Sequence, residues 1–278
     1  SESGVRAMGY YDGGDLPFYY WLANEYASAD HYFCSLLGPT WPNRQFLYAA
    51  SSRGATSNVI SSFVDHAGAC TADADCGGEA GSCMLDGHAC TPPRDINCGC
   101  RGTCAEDEDC GLDAPVGSCT EGGVCAPVGR TIFDYLEQRQ IDWKIYASGT
   151  PGFALTLEAF IKYGPEHQVD IEEYFADAAA GTLPAVAFID SHIGDEGFDQ
   201  DDEHPPATPF PGQLFVAKVV DALGKSPEWS SSALFITYDE HGGLYDHVPP
   251  PNACPPGDKP ARIEPGDPVA DFDRYGVR

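Results

Sequence analysis

Basic residues are scarce in this chain of 278 residues, in which 15 Lys and Arg stand against 43 Asp and Glu for a formal net charge of −28. Proteins that bind nucleic acid use Lys and Arg to displace the counterions of the phosphate backbone. We therefore expect no binding to nucleic acid. The acidity favours an extracellular protein or one that works with divalent cations, although solubility alone would also account for it.

Long apolar stretches are missing as well. No window approaches the roughly 18 consecutive apolar residues of a membrane-spanning helix, so we expect no transmembrane segment. The first eight residues lack the basic start and apolar stretch of a signal peptide, and any such signal is expected outside this sequence. The hydrophobic content of 42% is enough for a globular core.

Large apolar residues are nearly absent between Cys70 and Cys125, where all but two of the twelve cysteines lie. Segments 70–90 and 104–125 each hold four cysteines, with a five-residue acidic first loop and a central Gly-Ser-Cys, and so form an internal repeat. An even number of cysteines where no apolar core can form predicts disulfides. Zinc is the alternative, but the paired C-x2-C spacing of structural zinc sites is missing.

We therefore predict a small disulfide-rich insertion at residues 66–128 and a secreted, periplasmic or cell-surface location. The cysteine spacing does not determine the disulfide connectivity. Whether Cys34 and Cys254, which lie outside the insertion, pair with each other is also open.

Helix-like and strand-like segments alternate in residues 1–65 and 129–278, which we interpret as one interrupted domain. This alternation predicts an α/β fold with a mostly parallel sheet and helices on both faces. In such sheets ligands bind beyond the carboxyl ends of the strands. The predicted helices are 15–27, 40–50, 131–139 and 212–223, and the predicted strands are 143–147, 185–189 and 233–237.

Acidic and histidine-bearing loops follow these strands. Asp190 ends one, Asp239-Glu240-His241 with Asp246-His247 follows another, and Asp202-Glu203-His204 lies between them. Adjacent carboxylates repel each other, and keeping both ionised takes a cation or strong donors. Carboxylates and imidazoles together suit zinc, manganese, calcium or magnesium.

Thr40 opens a predicted helix, where free backbone N–H groups and the positive end of the helix dipole favour a phosphate. An ordinary threonine N-cap explains the same position. Together with the two acidic loops, however, this hydroxyl forms a set suited to metal-assisted phosphoryl or acyl transfer.

Four motifs in order resemble the bacterial phosphoesterase family, which contains phosphatidylcholine-hydrolysing phospholipases C and a related acid phosphatase. The resemblance covers nearly all of the chain outside the insertion and implies an alkaline-phosphatase-like three-layer α/β/α sandwich. Family members carry an upstream Glu-Asn-Arg-Ser-Phe-Asp-His type motif that completes their metal site and is missing here, so we expect this sequence to be a fragment. The motifs are MGYYDGGDLPFYY (8–20), FCSLLGPTWPNR (33–44), DEHPP (202–206) and YDEHGGLYDHVPPP (238–251).

The resemblance also implies roles for individual residues. Thr40 becomes the nucleophile and a metal ligand, with Asp239 and Glu240 as further ligands of one or more divalent ions, Ca, Mg, Mn or Zn. Phosphoryl binding or protonation of the leaving group falls to three histidines. Substrate binding, including support of the nucleophile loop, falls to four residues. The histidines are His204, His241 and His247, and the four residues are Asn43, Arg44, Asp202 and Glu203.

The implied function is a metal-dependent phosphoric ester hydrolase, phospholipase C-like, that cleaves phosphodiesters such as phosphatidylcholine and contacts membrane surfaces peripherally. Two alternatives stay open. One is an acid phosphatase with the same site, acting on other phosphate esters. The other is a secreted binding protein with impaired catalysis, which would use the cysteine-rich repeats to engage a partner.

Overall fold

The computed structural model describes residues 2–52, 55–58, 131–149, 163, 166–192, 200–254 and 272–278, together with the backbone of five short strands between residues 83 and 126. The short strands are β1 (Cys83–Leu85), β2 (His88–Ala89), β3 (Gly99–Cys100), β4 (Ser118–Cys119) and β5 (Cys125–Ala126). The remaining strands are β6 (Trp143–Ala147), β7 (Gln168–Asp170) and β8 (Val186–Asp190). The helices are α1 (Glu2–Ala7), α2 (Pro17–Glu25), α3 (Thr40–Ala49), α4 (Ile132–Gln138), α5 (Ile171–Ala180) and α6 (Phe210–Lys225), with a 3-10 turn at Trp229–Ser231.

A three-stranded parallel sheet lies at the centre, in the order β7-β6-β8. Ala147 at the end of β6 pairs in register with Asp170 on one side and Asp190 on the other. The carboxyl ends of the three strands therefore lie at one edge of the sheet. An open parallel sheet with helices confirms the predicted α/β class.

The two faces of β6 pack against different helices, because successive side chains of a strand point to opposite sides. Trp143 and Ile145 pack with residues of α3 and α4, whereas Tyr146 packs with residues of α5 and α6. Burying one such large side chain contributes roughly 1.5–3 kcal/mol. The first cluster is Tyr48, Phe133, Leu136, Trp143 and Ile145, and the second is Tyr146, Ile171, Tyr174 and Val219.

Local sequence signals account for several helix ends. Thr131 and Asp134 exchange side-chain and backbone hydrogen bonds in a capping box at the start of α4. The Asp170 carboxylate accepts from the Glu172 N–H at the start of α5, and Gly181 ends that helix with φ +70°. Pro17, which has no N–H to leave unsatisfied, opens α2.

The predicted strand at 233–237 is wrong, because this run adopts no regular structure. Phe235 is 89% exposed and Ile236 is 45% exposed. An apolar run becomes a strand only when neighbouring backbone groups pair with it, and none does so in the part of the chain described here. Asp239 and Glu240 therefore follow an irregular segment instead of a strand end.

The predicted disulfides of the insertion fall almost entirely outside the described residues. The backbone register places Cys83 opposite Cys100 and Cys119 opposite Cys125 in short antiparallel pairs. Cys34 and Cys254 are both free thiols, so these two cysteines do not pair with each other.

Candidate active site

The loop before α3 is held by a buried amide, that of Asn43. Its Oδ1 accepts from the Leu36 N–H at 2.9 Å, and its Nδ2 donates to the carbonyls of Gly38 at 2.9 Å and Pro39 at 3.2 Å. Thr40, the first residue of α3, is only 9% exposed, and its hydroxyl forms no hydrogen bond to any described residue. A hydroxyl at a fixed helix start is thus left available, whereas the adjoining Trp41 N–H donates to Asn58 Oδ1 at 3.0 Å and Pro42 has no N–H.

Arg44, one turn further along α3, joins two acidic residues from different parts of the chain. Its Nε donates to Asp239 Oδ2 at 2.6 Å, and its Nη1 donates to Asp190 Oδ1 at 2.9 Å. Burial alone would lower the pKa of this guanidinium, but the Asp190 and Asp239 carboxylates more than offset it and raise the pKa. A permanent cation therefore connects α3, the carboxyl end of β8 and the segment that begins at Asp239.

The turn after Asp239 is closed by its own backbone. Glu240 Oε2 accepts from the Gly242 N–H at 2.7 Å. Gly242 and Gly243 have φ of +62° and +77°, in the left-handed region that glycine tolerates best. A Cβ on Gly242 would lie 3.0 Å from the Pro205 side chain, so the turn lies directly against the loop at 201–206.

That second loop is fixed by hydrogen bonds from several directions. Asp202 Oδ1 accepts from the His204 N–H at 3.0 Å and from Gln200 Nε2 at 3.2 Å. Glu203 accepts from the Tyr19 hydroxyl of α2 through Oε1 and from the Tyr238 hydroxyl through Oε2. Burial raises the pKa of the Glu203 carboxyl, although both hydroxyl donors act to lower it.

The three candidate histidines have different surroundings. His241 Nδ1 is buried and has no hydrogen-bond partner among the described residues. His204 is exposed, and its Nδ1 lies 2.8 Å from the Pro205 carbonyl. The His247 side chain is 84% exposed and lies 3.6 Å from Asp246, whose own carboxylate is held by Arg278 at 2.6 Å. Only His241 therefore combines burial with a free ring nitrogen.

Two carboxylate oxygens nearby are also buried without a partner in the described part of the chain, Asp190 Oδ2 and Asp202 Oδ2. Native proteins leave few buried polar atoms unpaired. Together with His241 Nδ1, three such atoms belong to the loops that surround the Arg44 bridge. Their presence is consistent with a ligand or a further polar group at this place.

The metal expectation fits the chemistry of these donors but not their number. Thr40, Asp239 and Glu240 supply the oxygen ligands that hard cations prefer. However, one oxygen of Asp239 already accepts from Arg44, and one of Glu240 accepts from Gly242. No group of three or more His, Cys, Asp or Glu suited to a metal occurs among the described residues. These residues alone therefore do not form a complete metal centre.

One polar cluster at this edge of the sheet was not predicted from the sequence. Asp201 accepts from the Ser148 hydroxyl at 2.8 Å and from the His192 N–H, and burial raises the pKa of its carboxyl. Ser148 directly follows β6 and His192 lies two residues beyond β8. The rule that pointed to Asp190, the polar residue at a strand end, would have found both.

No helix in the described residues has the length and apolar character needed to cross a membrane.

A sequence model of the phosphoesterase family matches residues 1–278. The chain is 31% identical over 266 residues to non-specific phospholipase C6 of Arabidopsis thaliana, covering 95% of this chain and 39% of that protein. It is 30% identical over 257 residues to a non-hemolytic phospholipase C of Burkholderia pseudomallei, covering 91% and 32%.

The chain thus spans about two-fifths or less of the length of these curated relatives. The match to the family nevertheless runs from the first residue to the last. The relatives come from a plant as well as a bacterium, which is wider than the bacterial group that the motifs resemble. On this match the chain belongs to the phosphoesterase family.

Proposed function

We propose that this chain hydrolyses phosphoric esters in the manner of a phospholipase C, with the Thr40 hydroxyl as the nucleophile. The observation that carries the proposal is the position of Thr40. Its unbonded hydroxyl opens α3, and Arg44 of the same helix is bonded to Asp190 and Asp239. The names of the relatives, which are phospholipases C, support the same reaction class.

In the proposed reaction Thr40 Oγ1 attacks phosphorus in line with the leaving alcohol. The Thr40 hydroxyl proton passes to water as a bond forms between Oγ1 and phosphorus, and the bond between phosphorus and the alcohol oxygen breaks. Water then hydrolyses the phosphothreonine, which releases the phosphorylated group and restores the threonine hydroxyl. The positive end of the α3 dipole lies beside this position and would stabilise negative charge on the phosphoryl oxygens.

The departing alcohol needs a proton, and of the three histidines we propose His241 as its donor. Its Nδ1 is buried and unpartnered, whereas His204 Nδ1 faces a carbonyl and His247 lies in solvent. A general acid of this kind contributes roughly 10²–10⁴-fold to the rate.

The activity is further proposed to depend on a divalent ion, Ca, Mg, Mn or Zn, that Thr40, Asp239 and Glu240 would help to hold. Such an ion would lower the pKa of a coordinated hydroxyl and offset phosphate charge. The dependence is tested by treatment with a chelator followed by return of each metal separately, with the metal content of the untreated protein measured in parallel. Full activity of metal-free protein would contradict it.

The proposed substrates are phosphodiesters such as phosphatidylcholine, which the enzyme would meet at a membrane surface outside the cytoplasm. The complete fold is proposed to be an alkaline-phosphatase-like α/β/α sandwich. The alternative is an acid phosphatase, in which the same site acts on phosphomonoesters. Turnover of p-nitrophenyl phosphorylcholine, phosphatidylcholine and p-nitrophenyl phosphate distinguishes the two. Hydrolysis of the monoester alone would favour the phosphatase, and binding without turnover of any of the three would favour a catalytically impaired binding protein.

Thr40→Ala tests the nucleophile directly. We expect its turnover to fall by at least about a thousandfold, because removing a nucleophile abolishes the covalent step. Thr40→Ser keeps the hydroxyl and should retain measurable turnover. Thr182→Ala, which removes an exposed threonine hydroxyl at the end of α5, is the matched control and should match the unmodified protein. A Thr40→Ala protein that folds and turns over normally would rule out this nucleophile.

A further inference from the structure

Glu203 connects two tyrosines that are far apart in the sequence. Tyr19, on α2, donates its hydroxyl to Oε1 at 2.7 Å, and Tyr238, the residue before Asp239, donates to Oε2. Both carboxylate oxygens thus accept a charge-assisted hydrogen bond, which is stronger than a bond between neutral groups. The two rings also meet edge to face, with centroids 6.4 Å apart. Glu203, Tyr19 and Tyr238 are called the tyrosine clamp below.

The backbone of Glu203 is held in an unfavourable conformation. Its φ is +62°, in the left-handed region that residues other than glycine rarely adopt. Such a conformation persists only where the surroundings enforce it, and it is found most often at functional sites. Glu203 is therefore placed by its contacts and not by local preference.

Helix α6 provides the surface against which Glu203 lies. A Cβ on Gly212 would lie 2.2 Å from Glu203 Cγ and 2.8 Å from the Asp201 carbonyl, so only glycine leaves room for this loop. The next residue, Gln213, accepts from the Phe18 N–H at 2.7 Å and donates to the Asp15 carbonyl at 3.3 Å. The start of α2, which carries Tyr19, is thereby fixed to α6 as well.

We propose that Glu203 is a positioning residue that holds Tyr238 and, through it, the adjoining carboxylates of Asp239 and Glu240. This inference rests on the proposed function, in which those carboxylates take part. It differs from the substrate-binding role that the sequence resemblance implies for Glu203. Both oxygens of this carboxylate are already held by phenols in a fixed geometry, and its charge repels a phosphate.

The test compares Glu203→Gln with Glu203→Ala in the whole chain. Glutamine removes the charge but keeps a hydrogen-bonding atom at both positions. Its amide oxygen can accept from Tyr19, and its NH2 can donate to the hydroxyl of the half-exposed Tyr238, which then donates to water. We expect Glu203→Gln to keep at least about half of kcat. Glu203→Ala should lose roughly tenfold or more in kcat, with KM changed by less than about threefold, since the lost bonds are charge-assisted.

A residue that binds substrate or cation through its charge would give a different pattern. Glu203→Gln would then be as impaired as Glu203→Ala, or KM would rise while kcat stayed unchanged. Either result would overturn the positioning role.

The second measurement is a double-mutant cycle with Tyr238→Phe. If Glu203 acts through Tyr238, then Tyr238→Phe alone lowers kcat, and adding Glu203→Ala lowers it little further. Independent, additive losses in kcat would contradict the clamp. Tyr238→Phe removes only a single oxygen atom. Its effect on kcat therefore still tests the clamp if Glu203→Ala fails to fold.

Thermal unfolding of the four proteins of this cycle, namely the unmodified protein, Glu203→Ala, Tyr238→Phe and the double variant, separates this inference from the proposed function. If the unmodified chain turns over neither phosphodiesters nor phosphomonoesters, the proposed function fails. The clamp is then judged by the unfolding cycle, in which residues 203 and 238 should be coupled. Absence of coupling there would overturn the clamp whatever the activity.

Discussion

Arg44 lies between two carboxylates that would otherwise repel each other. Asp190 and Asp239 come from segments far apart in sequence, and both bond to the same guanidinium. Arginine suits this position because its donors are fixed in one plane and its charge persists at any physiological pH. The side chain is only 14% exposed, and that of Asp190 is 7% exposed, so solvent screens the bridge weakly.

Replacing Arg44 should therefore destabilise the fold as well as reduce activity. Arg44→Met leaves the buried Asp190 carboxylate without its cation, and we expect a loss on the order of 3 kcal/mol in the free energy of unfolding. Arg44→Lys should fall between Arg44→Met and the unmodified protein, because a lysine ammonium keeps the charge but lacks the rigid planar fork that reaches both carboxylates. Urea unfolding at pH 7 measures both variants.

Arg139→Met is the matched control, since it removes an exposed arginine at the end of α4. It should cost no more than about 1 kcal/mol, the range for a cation near a helix end. Equal losses in Arg44→Met and Arg139→Met would show that the bridge contributes nothing.

Long-range partners of single residues lay beyond prediction from the sequence. The expectation that ligands bind beyond strand ends pointed to Asp190 and, through a strand that does not form, to Asp239. It gave no reason to expect that one arginine bonds to both carboxylates. The tyrosines that bind Glu203 are 184 and 35 residues away in sequence. Such pairs are created by the packing of α2, α6 and the loops between them, and no local pattern encodes them.

Helix α6 carries two glycines in very different surroundings, and they offer a matched test of the packing beside the site. Gly212→Ala places a Cβ 2.2 Å from Glu203 Cγ and 2.8 Å from the Asp201 backbone oxygen. The loop must therefore move, and we expect roughly 1–3 kcal/mol of destabilisation, as for overpacked sites, together with reduced turnover.

Gly224→Ala meets nothing within 4 Å and lies in the same helix. Because alanine is the better helix former, this variant should be neutral or more stable by up to about 1 kcal/mol. Thermal unfolding and phosphodiester turnover compare the two variants. A Gly212→Ala protein as stable and active as Gly224→Ala would show that the loop tolerates displacement.

Strand β6 and helix α5 are joined by a polar contact as well as by apolar packing. Asp177 of α5 accepts from Lys144 Nζ at 2.7 Å and from the Tyr146 hydroxyl at 2.6 Å, both on β6. The hydrogen bond from Lys144, then that from Tyr146, lowers the pKa of the Asp177 carboxyl. The stabilisation from this contact is thus fully present above the unfolded-state pKa of about 3.9, and it is lost as the pH falls through the lower pKa of the folded state.

Asp177→Asn should consequently be less stable than the unmodified protein at pH 7, by roughly 1 kcal/mol. The difference between the two should shrink as pH falls below about 4, where the unmodified protein also loses the charged contact. Urea unfolding across this pH range checks the trend. A difference in stability that does not change with pH would mean that the charge of Asp177 has no role.

Helices and strands that a local sequence pattern defines were predicted well. An element that exists only by pairing with a distant segment was not. Strand β6 was predicted at its observed bounds, and α4 lies within the helix predicted at 131–139. Helix ends are set by side chains a few residues apart, which a local pattern contains. The run at 233–237 has a strand composition, but a strand exists only through hydrogen bonds to another segment, and composition says nothing about that.

At the scale of the whole molecule, segments from both sides of the cysteine-rich block share one core. Tyr48, before the block, packs against Phe133, after it, with ring centroids 5.4 Å apart, and both lie in the cluster that contains Trp143 and Ile145 of β6. Residues 66–128 are therefore bounded by parts of the same packed unit, and their forming a separate insertion stays a prediction.

Thiol titration would test the predicted disulfides of that block. Cys34 and Cys254 are free, and only Cys254 is exposed. Burial, followed by the charges of Asp239 and Glu240, raises the pKa of the Cys34 thiol to about 11. Because the thiolate is the reactive form, Cys34 should react roughly 300-fold more slowly than an ordinary cysteine of pKa about 8.5 at neutral pH.

We therefore expect one fast and one slow thiol in the folded, unreduced protein, and two in total after denaturation. Cys254→Ser should remove the fast phase and Cys34→Ser the slow one, which assigns each phase to its residue. If the remaining cysteines form disulfides, denaturation without reductant exposes no others, whereas reduction exposes all twelve. Detection of more than two thiols before reduction would mean that the block is not fully cross-linked. Such thiols would bring back the zinc alternative, which metal analysis of the same sample would decide.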